Sequence, residues 1–167
     1  AGGEFTQIGG QPRNYLAAVD ATTGQVLPWD PSPNSVVIAM ARSGSTLYVG
    51  GLFDRIGGQQ RRHLAAVDAT TGTLSSWDAH VAPGVVDALL VSGNTVYVGG
   101  GFEQGGGQPR NSIAALDATT GEATPWYPQA SGWGTPIRVR ALALIDSTLY
   151  VGGSFGTMGG QPRVCLA

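Results

Sequence analysis

The chain has no lysine. Its nine basic residues are all arginine, set against 11 Asp and Glu, and the net charge is −2. So weak a charge gives no electrostatic reason to bind nucleic acid or an anionic membrane. Cysteine is nearly missing as well. Cys165 stands alone, which excludes an internal disulfide and a C-x-x-C site. Two histidines, His63 and His80, are too few for a histidine-rich metal cage, and neither is given a role. No apolar run approaches the ~20 residues that a membrane helix needs, so membrane insertion is not expected. No stretch reads as a signal peptide, so an exported form would carry its signal outside these residues.

Glycine is abundant, at 27 residues, and 10 prolines accompany it. That mixture punctuates short strands and interrupts every candidate helix. Collagen is excluded, because the glycines show no three-residue period. What they do show is a much longer period. Phe5, Phe53, Phe102 and Phe155 head four copies of a G-G-x-F stretch, at spacings of 48, 49 and 53 residues. Trp29, Trp77 and Trp126 recur in step, as do Asp20, Asp68 and Asp117, and Gly24, Gly72 and Gly121. Three periods are complete and a fourth is cut short.

Each period holds four apolar runs. In the second, "VVDALLV" (85–91) turns at Ser92-Gly93-Asn94 into "TVYVGG" (95–100), which reads as a hairpin. "SIAALDA" (112–118) is a third strand. The "ATTG" turn then leads into "EATPW" (122–126), expected as a fourth. Four antiparallel strands per unit of about 48–53 residues predict an all-β fold of β-propeller type. On this reading "VVDALLV" is innermost and buried on both faces. The Trp-ending strand is outermost, with its ring covering a neighbouring blade.

The residues "YVGGLFDRIGGQQRRHLAAVDATTGTLSSW" (48–77) resemble the delta-sixty repeat β-propellers, a family of large bacterial exported or surface proteins. The resemblance covers essentially the whole chain. It implies the fold and an extracellular or cell-surface location, and it brings no general activity with it. A second likeness lies in "AVDATTGQVLPW", which is similar to the A-x-D-x-x-T-G-x-x-x-W docking motif of quinoprotein dehydrogenase propellers. Here the tryptophan comes one residue late, and a single cysteine excludes those enzymes' vicinal disulfide. The likeness therefore implies shared blade mechanics, with Trp docking on the next blade, and no cofactor is expected.

A residue present once per unit ordinarily serves the unit. Arg13, Arg61, Arg110 and Arg163 occupy one repeat position, where a planar fork of donors suits tying a loop to carbonyls or to an Asp. Asp20, Asp68 and Asp117 precede A-T-T-G, where an Asp side chain caps a turn. Gly24, Gly72 and Gly121 supply the positive φ of that turn. The Gly-rich "GGGFEQGGGQ" (99–108) lacks the Gly-Lys-Ser/Thr of a phosphate loop. No Ser/His/Asp grouping, HExxH or EF-hand loop occurs, so the sequence points away from an enzyme. A function particular to one place must break the repeat. The third period does so by four residues, in "YPQASGWGTPIRVR" (127–140). Tyr127 and Trp133 there could stack on a sugar ring, with Arg138 and Arg140 as donors. They are the candidate ligand-binding residues of a carbohydrate-binding alternative.

The domain reading is a single β-propeller over residues 1–167, a partial ring. Its repeats are 2–49, 50–98 and 99–151, with a partial unit at 152–167. A ring of this type closes with 4–8 blades. The chain therefore reads as part of a longer protein, or as one whose open strand edges invite self-association. The function expected is a non-catalytic scaffold or recognition module with a protein or glycan partner. A carbohydrate-binding propeller is one alternative and a quinoprotein-type enzyme another.

Overall fold

Short strands separated by Gly and Asp turns do form here. The computed structural model describes residues 1–132 and 137–167, and every regular element among them is a strand. In the first full unit β1 (Val37–Ser43) pairs antiparallel with β2 (Thr46–Gly51), and β2 with β3 (Leu64–Asp68). The next unit repeats this with β4 (Ala82–Ser92), β5 (Thr95–Gly105) and β6 (Ile113–Asp117). β7 (Arg138–Ile145) and β8 (Thr148–Ser154) form the corresponding hairpin of the following unit. Each first strand carries a bulge at the same place, at Ile38, Asp87 and Arg140. The sheets do not close on one another among the described residues.

The G-G dipeptides, which read as loop, make a small hairpin of their own. Gln59–Gln60 pairs back on Arg55–Ile56 across Gly57-Gly58, whose φ values are 58° and 75°. Two successive positive φ angles define the hairpin turn that glycine pairs favour. The same ladder recurs at Gln7–Ile8/Gln11–Pro12 and at Thr157–Met158/Gln161–Pro162.

Two expectations need correction. The stretch 122–126 is not a strand. It contributes one bridge, Leu116↔Ala123, and the equivalent bridge in the preceding copy is Val67↔Leu74. In the two preceding copies the chain turns away there and the tryptophan indole reaches the following unit. The stretch 85–91 is also not buried on both faces. Val85, Val86 and Ala88 are buried, but Asp87, Leu89, Leu90 and Val91 are half-buried, and the first copy leaves Ile38 and Met40 exposed. Strands of both neighbouring units approach β4 (β1 and β2 from one side, β7 from the other) without enclosing its last residues. The observed strands are longer than read, with β4 beginning at Ala82 and β5 running to Gly105.

The cores lie between sheets rather than within them. One joins Tyr48, Leu64 and Trp77 of one unit to Val86, Phe102 and Leu116 of the next. A second gathers Leu16 and Trp29 with Val49, Phe53 and Ile56. Close approach comes from glycine: a Cβ on Gly99 would stand 2.5 Å from Val139 Cγ1, and one on Gly50 would overlap Val86. A sheet of this kind cannot bury its apolar face alone, so neighbouring repeats stabilise one another.

Candidate functional site

The D-A-T-T-G turn comes first, because it fixes the rest. Asp68 Oδ1 accepts hydrogen bonds from Thr70 N (2.9 Å) and Thr71 N (2.7 Å), and Thr71 Oγ1 donates to it at 3.0 Å. Asp20 and Asp117 accept from the same two backbone positions. The bond from the second Thr amide is the main cause that holds all three carboxyls below the ordinary value of 3.8. Gly24, Gly72 and Gly121 close the turns at φ 74°, 77° and 81°.

The repeated arginines reach back across their units. Nη1 of Arg13, Arg61, Arg110 and Arg163 donates to the carbonyl of the preceding residue. Nη2 of Arg13 donates to Leu27 O (3.0 Å) and that of Arg110 to Thr124 O (2.9 Å). Trp29 and Trp77 are buried, and their indoles donate to Asp68 O (3.0 Å) and Asp117 O (3.1 Å) of the following unit. Trp126 is 37% exposed and meets Tyr97 edge-on at 5.4 Å.

Of the four residues read as ligand-binding, Trp133 lies outside the described residues. Tyr127 sits under Arg110 at 4.7 Å, and its hydroxyl accepts from Asn111 N at 2.8 Å. Arg138 forks onto the carboxylate of Asp87, with Nη2 at 2.7 Å from Oδ1 and Nε on Oδ2. Arg140 is exposed at the bulge of β7. The structure thus engages Tyr127 and Arg138 in internal contacts.

A cavity of about 360 Å³ opens elsewhere, between the second and third units. Its polar lining is Gln60, Arg61, Arg62, Asp78, His80 and Gln104. Arg61 Nη1 stands 3.6 Å from Asp78 Oδ2, and Asp78 Oδ1 accepts from His80 N at 3.0 Å. A second cavity, of about 450 Å³, shares Asp78 and His80 as a wall. None of the candidate ligand-binding residues of the sequence lies here. The available signal was local: Gln60 and Arg62 replace the Pro and Asn of the first and third copies, and His80 stands where they have Ser32 and Gln129.

His63 lies beside this place in the chain. It takes φ 63°, and the same non-glycine left-handed conformation recurs at Tyr15, Ser112 and Cys165. Its Nδ1 is buried and has no hydrogen-bond partner among the described residues. Burial, followed by the neighbouring Arg62 charge, holds its pKa below 6.5.

Antiparallel sheets stacked by a repeated Trp-to-turn contact define an all-β protein of propeller-type repeats. Residues 12–161 match the family described as outer membrane protein assembly factor BamB, and the chain belongs to that family. The match supports the quinoprotein-propeller likeness of the D-x-x-T-G…W pattern at the level of fold. Among solved structures the chain is similar to the crystal structure of the computationally designed Ika8 protein. The identity is 21% and the TM-score 0.54, over 85% of this chain and 38% of that one. This chain therefore spans well under half of the designed protein. No curated protein matches it.

Proposed function

We propose that the chain is a non-catalytic β-propeller repeat module, acting as scaffold or recognition surface in an exported or cell-surface protein. The observation that carries this reading is what the repeated side chains do. Asp20, Asp68 and Asp117 hold turns, Arg13 and Arg110 hold carbonyls, and Trp29 and Trp77 hold the next unit. Groups engaged once per unit in the same internal contact build a framework, and recognition then falls to positions where the copies differ. The finer architecture belongs to the same proposal. It is a single domain of propeller blades in the delta-sixty style, each built on three long strands, with three repeats and a partial fourth, contributing to a ring of 4–8 blades. The family description concerns assembly of outer membrane proteins, which supports an envelope setting and a scaffolding task. The partners proposed are proteins or glycans. Self-association through open strand edges is the contact expected when copies meet.

Fractionation of the source cells, probed with an antibody to the chain, tests the setting. Recovery in the envelope or the medium is expected, and recovery only with the cytosol overturns it. The carbohydrate reading on the Trp133 loop is tested by glycan array with Trp133→Ala. No described contact favours it, because Tyr127 and Arg138 are engaged internally.

A further inference from the structure

We propose that the crevice between the second and third units binds a small hydroxy-carboxylate of the sugar-acid type, with Arg62 as its carboxylate anchor. This rests on the recognition-module reading and gives it a place and a ligand chemistry. The first support is the comparison of two copies of one scaffold. In the third copy the position of Asp78 holds Tyr127, which covers Arg110 at 4.7 Å and accepts from Asn111 N. Asn111 also donates to Ala130 O at 3.1 Å, so that place is filled. In the second copy the same place is a cavity of about 360 Å³, within the size range of small-ligand sites. Three residues that depart from the other copies, Gln60, Arg62 and His80, all line it.

The second support is the chemistry of the lining. Arg61 is already bonded to Gln60 O at 2.9 Å and leans on Asp78 at 3.6 Å. Among the described residues the Arg62 guanidinium carries no hydrogen bond or ion pair, and neither do the Gln60 and Gln104 side-chain amides. A guanidinium fork matches a carboxylate in two parallel bonds. Each glutamine amide offers a donor and an acceptor, the combination that a hydroxyl answers. Two guanidinium charges against one carboxylate leave a single positive excess on the lining, in a chain whose net charge is −2. That excess suits a monoanion. A phosphate dianion would meet the Asp78 carboxylate in the wall.

The test is titration of the isotope-labelled full chain with galacturonate, trigalacturonate and neutral galactose, read by amide NMR. Galacturonate is expected to shift Gln60 to Arg62, the residues around His80, and Gln104, and to weaken as salt is raised. Galactose is expected to shift them far less. Arg62→Ala, at an exposed side chain, should weaken binding at least about tenfold at unchanged melting temperature. Asp78→Tyr, which installs the side chain that fills the third copy, should abolish it. Tighter binding of the trimer assigns the ligand to an acidic glycan, and equal binding assigns it to a free sugar acid. No shift with either acid, equal shifts from galactose, or unchanged affinity in Arg62→Ala would overturn the proposal. Each of these would leave the module reading standing, since that depends on cell location and on the absence of turnover.

Discussion

The carbonyl oxygen of Asp117 accepts two hydrogen bonds, one from Gly121 N of its own turn at 2.9 Å and one from Trp77 Nε1 of the preceding unit at 3.1 Å. Asp68 does the same for Gly72 N and Trp29 Nε1. A carbonyl has two lone pairs, so the turn closes and the next unit docks without competition. Tyr48 reinforces the contact. Its ring meets Trp77 edge-on at 5.1 Å, and its hydroxyl donates to Ala118 O at 3.0 Å.

Trp77 should therefore be among the costliest side chains to remove. Trp77→Ala is expected to lose about 3–5 kcal/mol in urea unfolding. Trp77→Phe, which keeps a ring and loses the donor, should lose less. Trp126→Ala, at a more exposed ring, should cost only about 1–2 kcal/mol. Equal losses at Trp77 and Trp126 would show that the indole-to-turn contact carries no stability.

The turn carboxylates set the acid limit. Their folded-state pKa values lie below the ordinary 3.8. The folded state therefore binds fewer protons than the unfolded chain in that region. The stability they add is fully present above about 3.8 and is lost as pH falls through the folded values. Thermal melts should drop steeply below pH 4. The triple variant Asp20→Asn, Asp68→Asn, Asp117→Asn should have a flatter acid limb, and an unchanged limb would refute the capping role.

His63 works in a higher window. Its folded pKa is held below 6.5 by burial and by Arg62. The stability gained from keeping it neutral is present above 6.5 and lost as pH falls through the folded value. His63→Asn, which tolerates the φ of 63°, should remove this slope from melts between pH 7 and 5. A slope that survives the substitution would assign it to another group.

Gly50 admits Val86 of the next unit into the space a Cβ would fill. Gly50→Ala is expected to cost about 1–3 kcal/mol by overpacking. Combining it with Val86→Ala should recover part of that loss, and strict additivity in the double variant would mean that the two do not share the space.

Much of the framework was legible in the sequence because it is local. The hairpin turning at Gly93, the Asp-capped turns and the strand in "SIAALDA" depend on neighbours within a few residues. The G-G hairpin was missed, since two-residue ladders such as Arg55–Ile56/Gln59–Gln60 carry no apolar pattern. The fourth strand was overread: alternation in "EATPW" gave no hint that Trp126 and its equivalents leave the ladder. The candidate ligand loop stands out in the sequence by its extra length. Length alone did not reveal that Tyr127 would lie under Arg110, or that Arg138 would fork onto Asp87, 51 residues away.

The repeat and its local turns follow from the order of residues alone, since identical short-range chemistry recurs wherever D-A-T-T-G and G-G occur. The tertiary structure decided which copy keeps an opening. Asp30, Asp78 and Tyr127 hold one repeat position, and their consequences depend on what the adjacent sheet brings to meet them. An aromatic ring closes the space over Arg110, and a short carboxylate leaves it open beside Arg61. That outcome depends on packing between units, where volume and distance across the interface rule and sequence spacing has no say.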